Sequence, residues 1–163
     1  MNVKHRNCLK HIVLSSLFCL GTGAVSAWLT IDGLRSFSQV IQPPLTPPMI
    51  VFPIVWSILL ILMGIGSGLI RCNKPSAEPA AYDWAVTAFS VQLTFFFCWM
   101  IWFFGLGWYG FAVFWTIGLI ASILAMIRSY CRISKIAAWM QLPYLVWCCF
   151  ALYLTVGVWW LNH

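Results

Sequence analysis

The chain has 163 residues, of which 63% are hydrophobic and 7% are charged, and its formal net charge is +6. Soluble domains usually carry about 25% charged residues, so this composition excludes a soluble domain and indicates a protein of the lipid bilayer. The basic residues stand at the ends of apolar runs and form no patch on a polar surface, which argues against nucleic acid as a partner.

Five apolar runs follow one another along the chain, and none of them contains Asp, Glu, Lys or Arg. Each is close to the ~20 residues that a helix needs to cross about 30 Å of hydrocarbon. The short alternating segments of a closed barrel are absent. The sequence therefore predicts an all-α membrane protein, a single domain over residues 1–163 built as a five-transmembrane-helix bundle. The predicted spans are approximately 12–31, 49–70, 84–104, 107–127 and 136–161, and the glycine-rich segment at 105–110 is the predicted turn between the third and the fourth.

The Lys and Arg residues fall almost entirely on one side of this predicted bundle. The N-terminal tail and the connections 71–83 and 128–135 carry eight of them, whereas Arg35 stands alone in the other connections. Cytoplasmic segments carry an excess of Lys and Arg, so the N-terminus is predicted to be cytoplasmic and His163 to lie outside. We expect an integral protein of the bacterial inner membrane. The eight residues are Lys4, Arg6, Lys10, Arg71, Lys74, Arg128, Arg132 and Lys135.

The first connection, residues 32–48, combines an apolar face with a run of prolines. Leu34, Phe37 and Ile41 share one face of a possible short helix, for which Asp32 could serve as the N-cap. Pro47 and Pro48 are predicted to occupy the first turn of the second span, where proline is tolerated. A stiff segment of this kind would fix the apolar face over the mouth of the bundle as a lid. The alternative is that the prolines only terminate and kink helices.

Small residues in the second span predict a close helix contact. Gly64 and Gly68 form a GxxxG pair, which lets two helices approach closely in lipid. The contact can lie within one bundle or between two copies of the chain, and packing within the bundle is the favoured interpretation.

The seven cysteines show no spacing typical of a metal site. Their odd number argues against a complete disulfide framework. They are interpreted as small buried hydrophobic residues, and no metal is expected. The seven are Cys8, Cys19, Cys72, Cys98, Cys131, Cys148 and Cys149.

Three spans carry aromatic faces at helical spacing. Such faces pointing inward could form a slot for a flat ligand, although spacing alone favours an ordinary aromatic core. The candidate ligand-binding residues are Phe52, Trp56 and Leu59 in the second span, Gln92, Phe96, Trp99 and Phe103 in the third, and Tyr144, Trp147, Ala151 and Thr155 in the fifth.

These features together resemble the translocator protein family, also called tryptophan-rich sensory proteins. Three motifs carry the resemblance in order along nearly the whole chain: the proline-rich entry to the second span, the glutamine-leucine motif of the third, and the leucine-proline-tyrosine motif of the fifth. The matching residues are Pro43, Pro47, Pro48, Val51, Phe52, Val55, Trp56, Met63, Gly64, Gln92, Leu93, Trp99, Phe103, Phe104, Gly105, Leu142, Pro143, Tyr144, Trp147, Phe150, Ala151, Tyr153 and Asn162.

The resemblance implies a hydrophobic pocket inside the bundle, capped by a lid that includes Leu34, Phe37, Ile41, Pro47 and Pro48. It implies a membrane protein that binds or senses tetrapyrroles such as porphyrin, or similar flat apolar molecules, as a ligand and with no resident cofactor. A homodimer is the family expectation. The chain departs from the family pattern at Ser36 and Phe37, where a tryptophan-tyrosine pair is usual, and at Phe96 and Thr155, where asparagine is usual.

Two other functions stay open at this stage. One is an enzyme that degrades porphyrin in light, with Trp56 and Trp147 as redox-active aromatic residues, although no general base, nucleophile or metal supports it. The other is a facilitator that lets an apolar ligand cross or leave the membrane. The spans contain no Asp, Glu, Lys, Arg or His to act as a proton or ion carrier or to ligate haem, so a metal-free porphyrin fits better than ligated haem.

Overall fold

The computed structural model describes residues 3–162, and it describes side chains from residue 6 onwards. This range contains helices and connections but no strand. The α-helices are α1 (Val3–Leu29), α2 (Ile31–Ser36), α3 (Val51–Cys72), α4 (Pro79–Met100), α5 (Tyr109–Cys131), α6 (Lys135–Trp139) and α7 (Leu142–Leu161).

Five segments are long and apolar enough to cross a membrane, which confirms the predicted fold class. They are Arg6–Leu29, Val51–Cys72, Pro79–Gly105, Tyr109–Cys131 and Lys135–Leu161. The third span begins at Pro79, five residues before its predicted start, because a proline in the first helical turn does not interrupt a helix. Two of the topology predictions fall on parts of the chain that the structure does not describe. His163 is not among the described residues, and the side chain of Lys4 is not described.

The α1 and α3 helices pack closely along most of their length through glycine. A Cβ atom added at Gly64 would overlap the backbone of Ser16, and one added at Gly68 would overlap the backbone of Ile12. Only glycine allows the two backbones to approach this closely. The GxxxG pair therefore lies within the bundle, as the favoured interpretation predicted.

The remaining spans complete the bundle around a common core. The α5 helix packs against α4 on one side and against α6 and α7 on the other, and α3 contacts α4, α6 and α7. Met63, Phe96 and Tyr144 are at most 2% exposed in this core. Large apolar residues such as Phe114 and Val146 point outwards, as expected where lipid replaces water.

Helix breaks near both ends of the bundle shape the connections. The α4 helix continues as a π-helical segment, Ile101–Gly105, before the predicted turn, where Gly107 has a φ of +64°. Wide turns of this type are frequent at functional sites. The fifth span is interrupted at Met140 and Gln141, and Pro143 lies in the first turn of α7.

The entry to the second span differs from the prediction in two ways. Pro47 and Pro48 lie before the helix, which begins at Val51, so the proline in its first turn is Pro53. Asp32 lies inside α2, and Thr30 occupies the N-cap position without a side-chain capping bond. Thr30 takes this position because α2 follows α1 after a single residue, and its hydroxyl donates back to the Ser26 carbonyl (2.8 Å).

The interpretation of all cysteines as buried hydrophobic residues is wrong for four of them, because two are paired with each other and two are exposed. Cys8 and Cys72 are joined in a disulfide, with their Cα atoms 5.1 Å apart. The α1–α3 register brings them together across a sequence separation of 64 residues. Cys19 and Cys148 are buried and unpaired as expected, whereas Cys131 and Cys149 are unpaired but exposed.

Candidate ligand pocket

The aromatic faces of α3, α4 and α7 meet at Trp56. Its ring centroid lies 4.9 Å from that of Phe96, 6.1 Å from those of Trp99 and Tyr144, and 6.4 Å from that of Trp147. These separations fall within the range in which aromatic pairs attract each other. Three separate stretches of sequence thus form one aromatic cluster, and we call it the Trp56 cluster.

The other candidate ring residues extend this cluster in two directions. Phe52 contacts Trp147 edge-on at 6.1 Å, and Phe103 stacks on Trp99 at 5.2 Å with an interplanar angle of 12°. Leu59 is buried one turn below Trp56 on α3. The cluster therefore runs from the start of α3 to the π-helical segment.

The two polar candidates, Gln92 and Thr155, are both fully buried but bond differently. Gln92 is fully buried, and its Nε2 atom donates to the Met63 sulphur (3.0 Å). On α7 the Thr155 hydroxyl donates to the Ala151 carbonyl (2.7 Å), so its single proton is already used. Thr155 therefore acts as a buried, internally bonded residue and offers a ligand only acceptor capacity.

Phe37 of the predicted lid contacts the far end of the Trp56 cluster. Phe37 is 4% exposed, and its ring lies 5.5 Å from Phe103 and 5.3 Å from Phe104. Gly33 on α2 lies directly on the Phe104 carbonyl, where any Cβ atom would overlap it. The short α2 helix is thus pressed onto the π-helical segment.

The prediction that Ile41 shares the buried lid face is wrong. The helical turn ends at Gln39, so Ile41 lies in extended chain and is 61% exposed. Leu34 is half-buried and packs against the core, as the prediction requires. The carbonyl of Pro48 accepts a bond from the Val51 amide (2.9 Å), which joins the proline segment to the start of α3.

Residues 41–44 are fastened to α7, and we call this segment the strap. Asn162 accepts a bond from the Ile41 amide (3.0 Å) and donates one to the Ile41 carbonyl (2.8 Å). The Tyr153 hydroxyl donates to the Pro44 carbonyl (2.9 Å). Pro43 is buried against Gly157, where a Cβ atom would collide with its ring.

Tyr153 and Asn162 match the family motif, but the sequence predicts no contact between them and the first connection. These contacts span 109 and 121 residues, and no local pattern encodes them. Sequence reasoning therefore singled out the first connection but missed the residues of α7 that hold it.

Three buried polar atoms in the Trp56 cluster have no hydrogen-bond partner: the indole nitrogens of Trp99 and Trp147 and the Oε1 atom of Gln92. The Tyr144 hydroxyl, also buried, lies beside the Cys148 thiol, which hydrogen-bonds weakly. An unpaired buried polar group costs about 1–3 kcal/mol. The cluster thus contains two unpaired N–H donors and one unpaired carbonyl acceptor.

No group of three or more His, Cys, Asp and Glu side chains that could hold a metal ion lies within the described part of the chain. His11 is exposed at the end of α1 that lies far from the lid, so it cannot ligate a group bound in the Trp56 cluster.

Comparison with known proteins agrees with the fold and the motifs. The model of the TspO/MBR family matches residues 15–161. Tryptophan-rich protein TspO of Chlorobaculum tepidum is 30% identical to this chain over 150 residues, which cover 88% of this chain and 90% of that protein. The predicted family resemblance is confirmed, and this chain belongs to the TspO/MBR family.

Proposed function

We propose that this protein binds and senses tetrapyrroles, such as a metal-free porphyrin, or similar flat apolar molecules within the membrane. The ligand would enter the Trp56 cluster beneath α2 and the strap. The observation that carries the proposal is the convergence of Trp56, Trp99 and Trp147 from three helices with two indole N–H groups unpaired. Membership of a family of membrane sensory and binding proteins supports it.

The ligand chemistry follows from the polar atoms of the cluster. A large conjugated ring would replace the ring–ring contacts of Trp56 with stacking contacts of similar kind. Carbonyl or carboxyl oxygens on the ligand would accept bonds from the Trp99 and Trp147 indoles, and a ring N–H would donate to the Gln92 oxygen. The ligand would therefore relieve the cost of burying these groups unpaired, and the apolar lining would disfavour ions.

A Trp147→Leu variant tests the proposal. The substitution keeps the site apolar but removes a ring that contacts Phe52, Trp56 and Phe150, together with one unpaired N–H. Each aromatic contact is worth about 0.5–1.5 kcal/mol, so porphyrin affinity should fall roughly three- to thirtyfold. The measurement is quenching of tryptophan fluorescence during titration with porphyrin.

The matched control is Trp28→Leu, because Trp28 is 71% exposed at the lid end of α1. This variant should change the affinity less than twofold. Equal losses in the two variants, or no loss in either while both stay folded by circular dichroism, would show that Trp147 is packing only.

A light-dependent porphyrin-degrading enzyme is the second candidate. It is favoured by the direct edge-on contact of Trp56 and Trp147, whose rings could exchange electrons with an excited porphyrin. Illumination of the porphyrin-loaded protein separates the two functions. A new tetrapyrrole product that appears in light, and not in the dark or in Trp147→Leu, would establish the enzyme. A flux assay in vesicles would likewise identify a facilitator.

Two finer expectations stay predictions. The cytoplasmic position of the N-terminus rests on charge distribution alone. The homodimer rests on family resemblance, and the GxxxG pair that could have formed its interface is used between α1 and α3.

A further inference from the structure

Cys8 and Cys72 meet at the end of the bundle opposite the strap, where the α1–α3 register brings them together. Along α3, residues 64, 68 and 72 lie one turn apart, and their neighbours on α1 are residues 16, 12 and 8 in turn. The two glycine contacts thus predict the third pair independently of any bond between the sulphurs. The 5.1 Å between the two Cα atoms is within the range of natural disulfides.

A cleft of about 730 Å³ opens onto both cysteines. Its wall is formed by the first turns of α1, the last turn of α3 and the connection that follows α3. Cys8 and Cys72 both line the cleft and are each half-buried, so a small molecule in the cleft lies beside the cysteine pair. Thiol–disulfide exchange requires such access, because a thiolate must approach one sulphur of the pair directly.

The charge around this cleft is positive. Arg71 lines it, and Lys10 and Lys74 lie on the same end of the bundle. The acidic residues at this end, Glu78 and Asp83, belong to the start of α4 and its cap and do not line the cleft. A small anion would therefore be attracted to the cysteine pair, and a small cation would be repelled.

We propose that Cys8 and Cys72 are a thiol–disulfide exchange site for a small anionic thiol and its disulfide. In the reducing direction the thiolate attacks one sulphur, the Cys8–Cys72 bond breaks, a mixed disulfide forms and the other cysteine leaves as a thiolate. A second small thiolate then releases the first cysteine, so two electrons pass to the protein and the small thiol is oxidised to its disulfide. The reverse sequence oxidises the two cysteines and reduces the small disulfide.

The exchange would control how firmly α1 is held to the bundle. The α1 helix packs mainly on α3, and few of its side chains are buried. The predicted topology places this end in the cytoplasm, where small thiols keep cysteines reduced. The pair is then a dithiol at rest, and the disulfide seen in the structure is its oxidised form, which fastens α1 to α3. The site is separate from the Trp56 cluster, which lies towards the lid.

The test compares two thiols of opposite charge on the full-length protein in detergent at low salt. The probes are 2-mercaptoethanesulfonate, an anion, and cysteamine, a cation. Reduction of the Cys8–Cys72 bond is followed by mass spectrometry of the linked peptides. The rate constant for reduction of the protein, expressed per thiolate, is divided by the rate constant for the same thiol with hydroxyethyl disulfide, which is uncharged. This ratio removes the difference in intrinsic reactivity between the two thiols. We expect the anion to be favoured at least threefold, and we expect this preference to disappear at about 1 M salt, where the Debye length is about 3 Å.

Two variants locate the effect. Arg71→Gln should lower the preference for the anion at least twofold, because Arg71 lines the cleft. Arg132→Gln removes a cation from the same end that lies outside this cleft and should leave the preference unchanged. Equal rates for the two thiols would overturn the proposal. So would finding Cys8 and Cys72 still free after the reduced protein is exposed to the anionic disulfide of 2-mercaptoethanesulfonate. In a Cys8→Ser control, Cys72 should stop at the mixed disulfide with the small thiol, because no second cysteine can displace it.

Discussion

Removal of the Asn162 side chain should release the strap from α7. Asn162→Ala deletes the two hydrogen bonds to the backbone of Ile41 and leaves the Tyr153–Pro44 bond and the Pro43–Gly157 contact in place. The substitution therefore loosens one end of the strap without unfolding the bundle.

The expected magnitude follows from the exposure of this contact. An intramolecular hydrogen bond contributes about 0.5–1.5 kcal/mol, so two contribute about 1–3 kcal/mol. Asn162 and Ile41 are both exposed, so water competes and the lower end of this range applies. A loss of about 1 kcal/mol raises the open fraction of the strap about fivefold, since 1.4 kcal/mol is tenfold.

Hydrogen exchange by mass spectrometry measures this opening without any ligand. Peptides that contain Ile41 should exchange about fivefold faster in Asn162→Ala, and porphyrin should dissociate faster by a similar factor if the strap gates the cluster. Asn162→Asp keeps an acceptor for the Ile41 amide and should give a smaller change. Asn73→Ala, which removes a side-chain bond to the Leu69 carbonyl at the opposite end, is the control. Unchanged exchange at Ile41 in Asn162→Ala would refute the role of Asn162 as a fastening.

Two further predictions concern the helix contact and the topology. Gly64→Ala places a Cβ atom against the Ser16 backbone and should lower the free energy of unfolding by about 1–3 kcal/mol, measured by denaturant or thermal unfolding. The control Gly21→Ala, whose Cβ atom meets nothing within 4 Å, should be neutral or slightly stabilising. Equal effects of the two substitutions would contradict the α1–α3 contact. A cysteine introduced at Ser38 should react with a membrane-impermeant maleimide added outside sealed cells, and the exposed Cys131 should not react. Labelling of Cys131 would reverse the predicted orientation.

The sequence by itself determined the features that depend on nearby residues. Hydropathy over about 20 residues located all five spans, because crossing the bilayer requires a continuous apolar helix whatever its neighbours are. Helical spacing identified the faces that carry Trp56, Trp99 and Trp147, and these faces do converge in one cluster. The glycine pair at 64 and 68 was recognised for the same reason, since small residues one turn apart form one surface patch on a helix.

Only the tertiary structure decided which distant residues meet. The pairing of Cys8 with Cys72 depends on the register of two antiparallel helices, and a shift of one turn would separate the sulphurs. The position of Ile41 depended on where the helical turn of the first connection ends. Its backbone is hydrogen-bonded to Asn162, which lies 121 residues later in the chain. Propensity and periodicity describe one helix at a time, whereas these contacts follow from how helices pack against each other, and so they became visible only in the folded bundle.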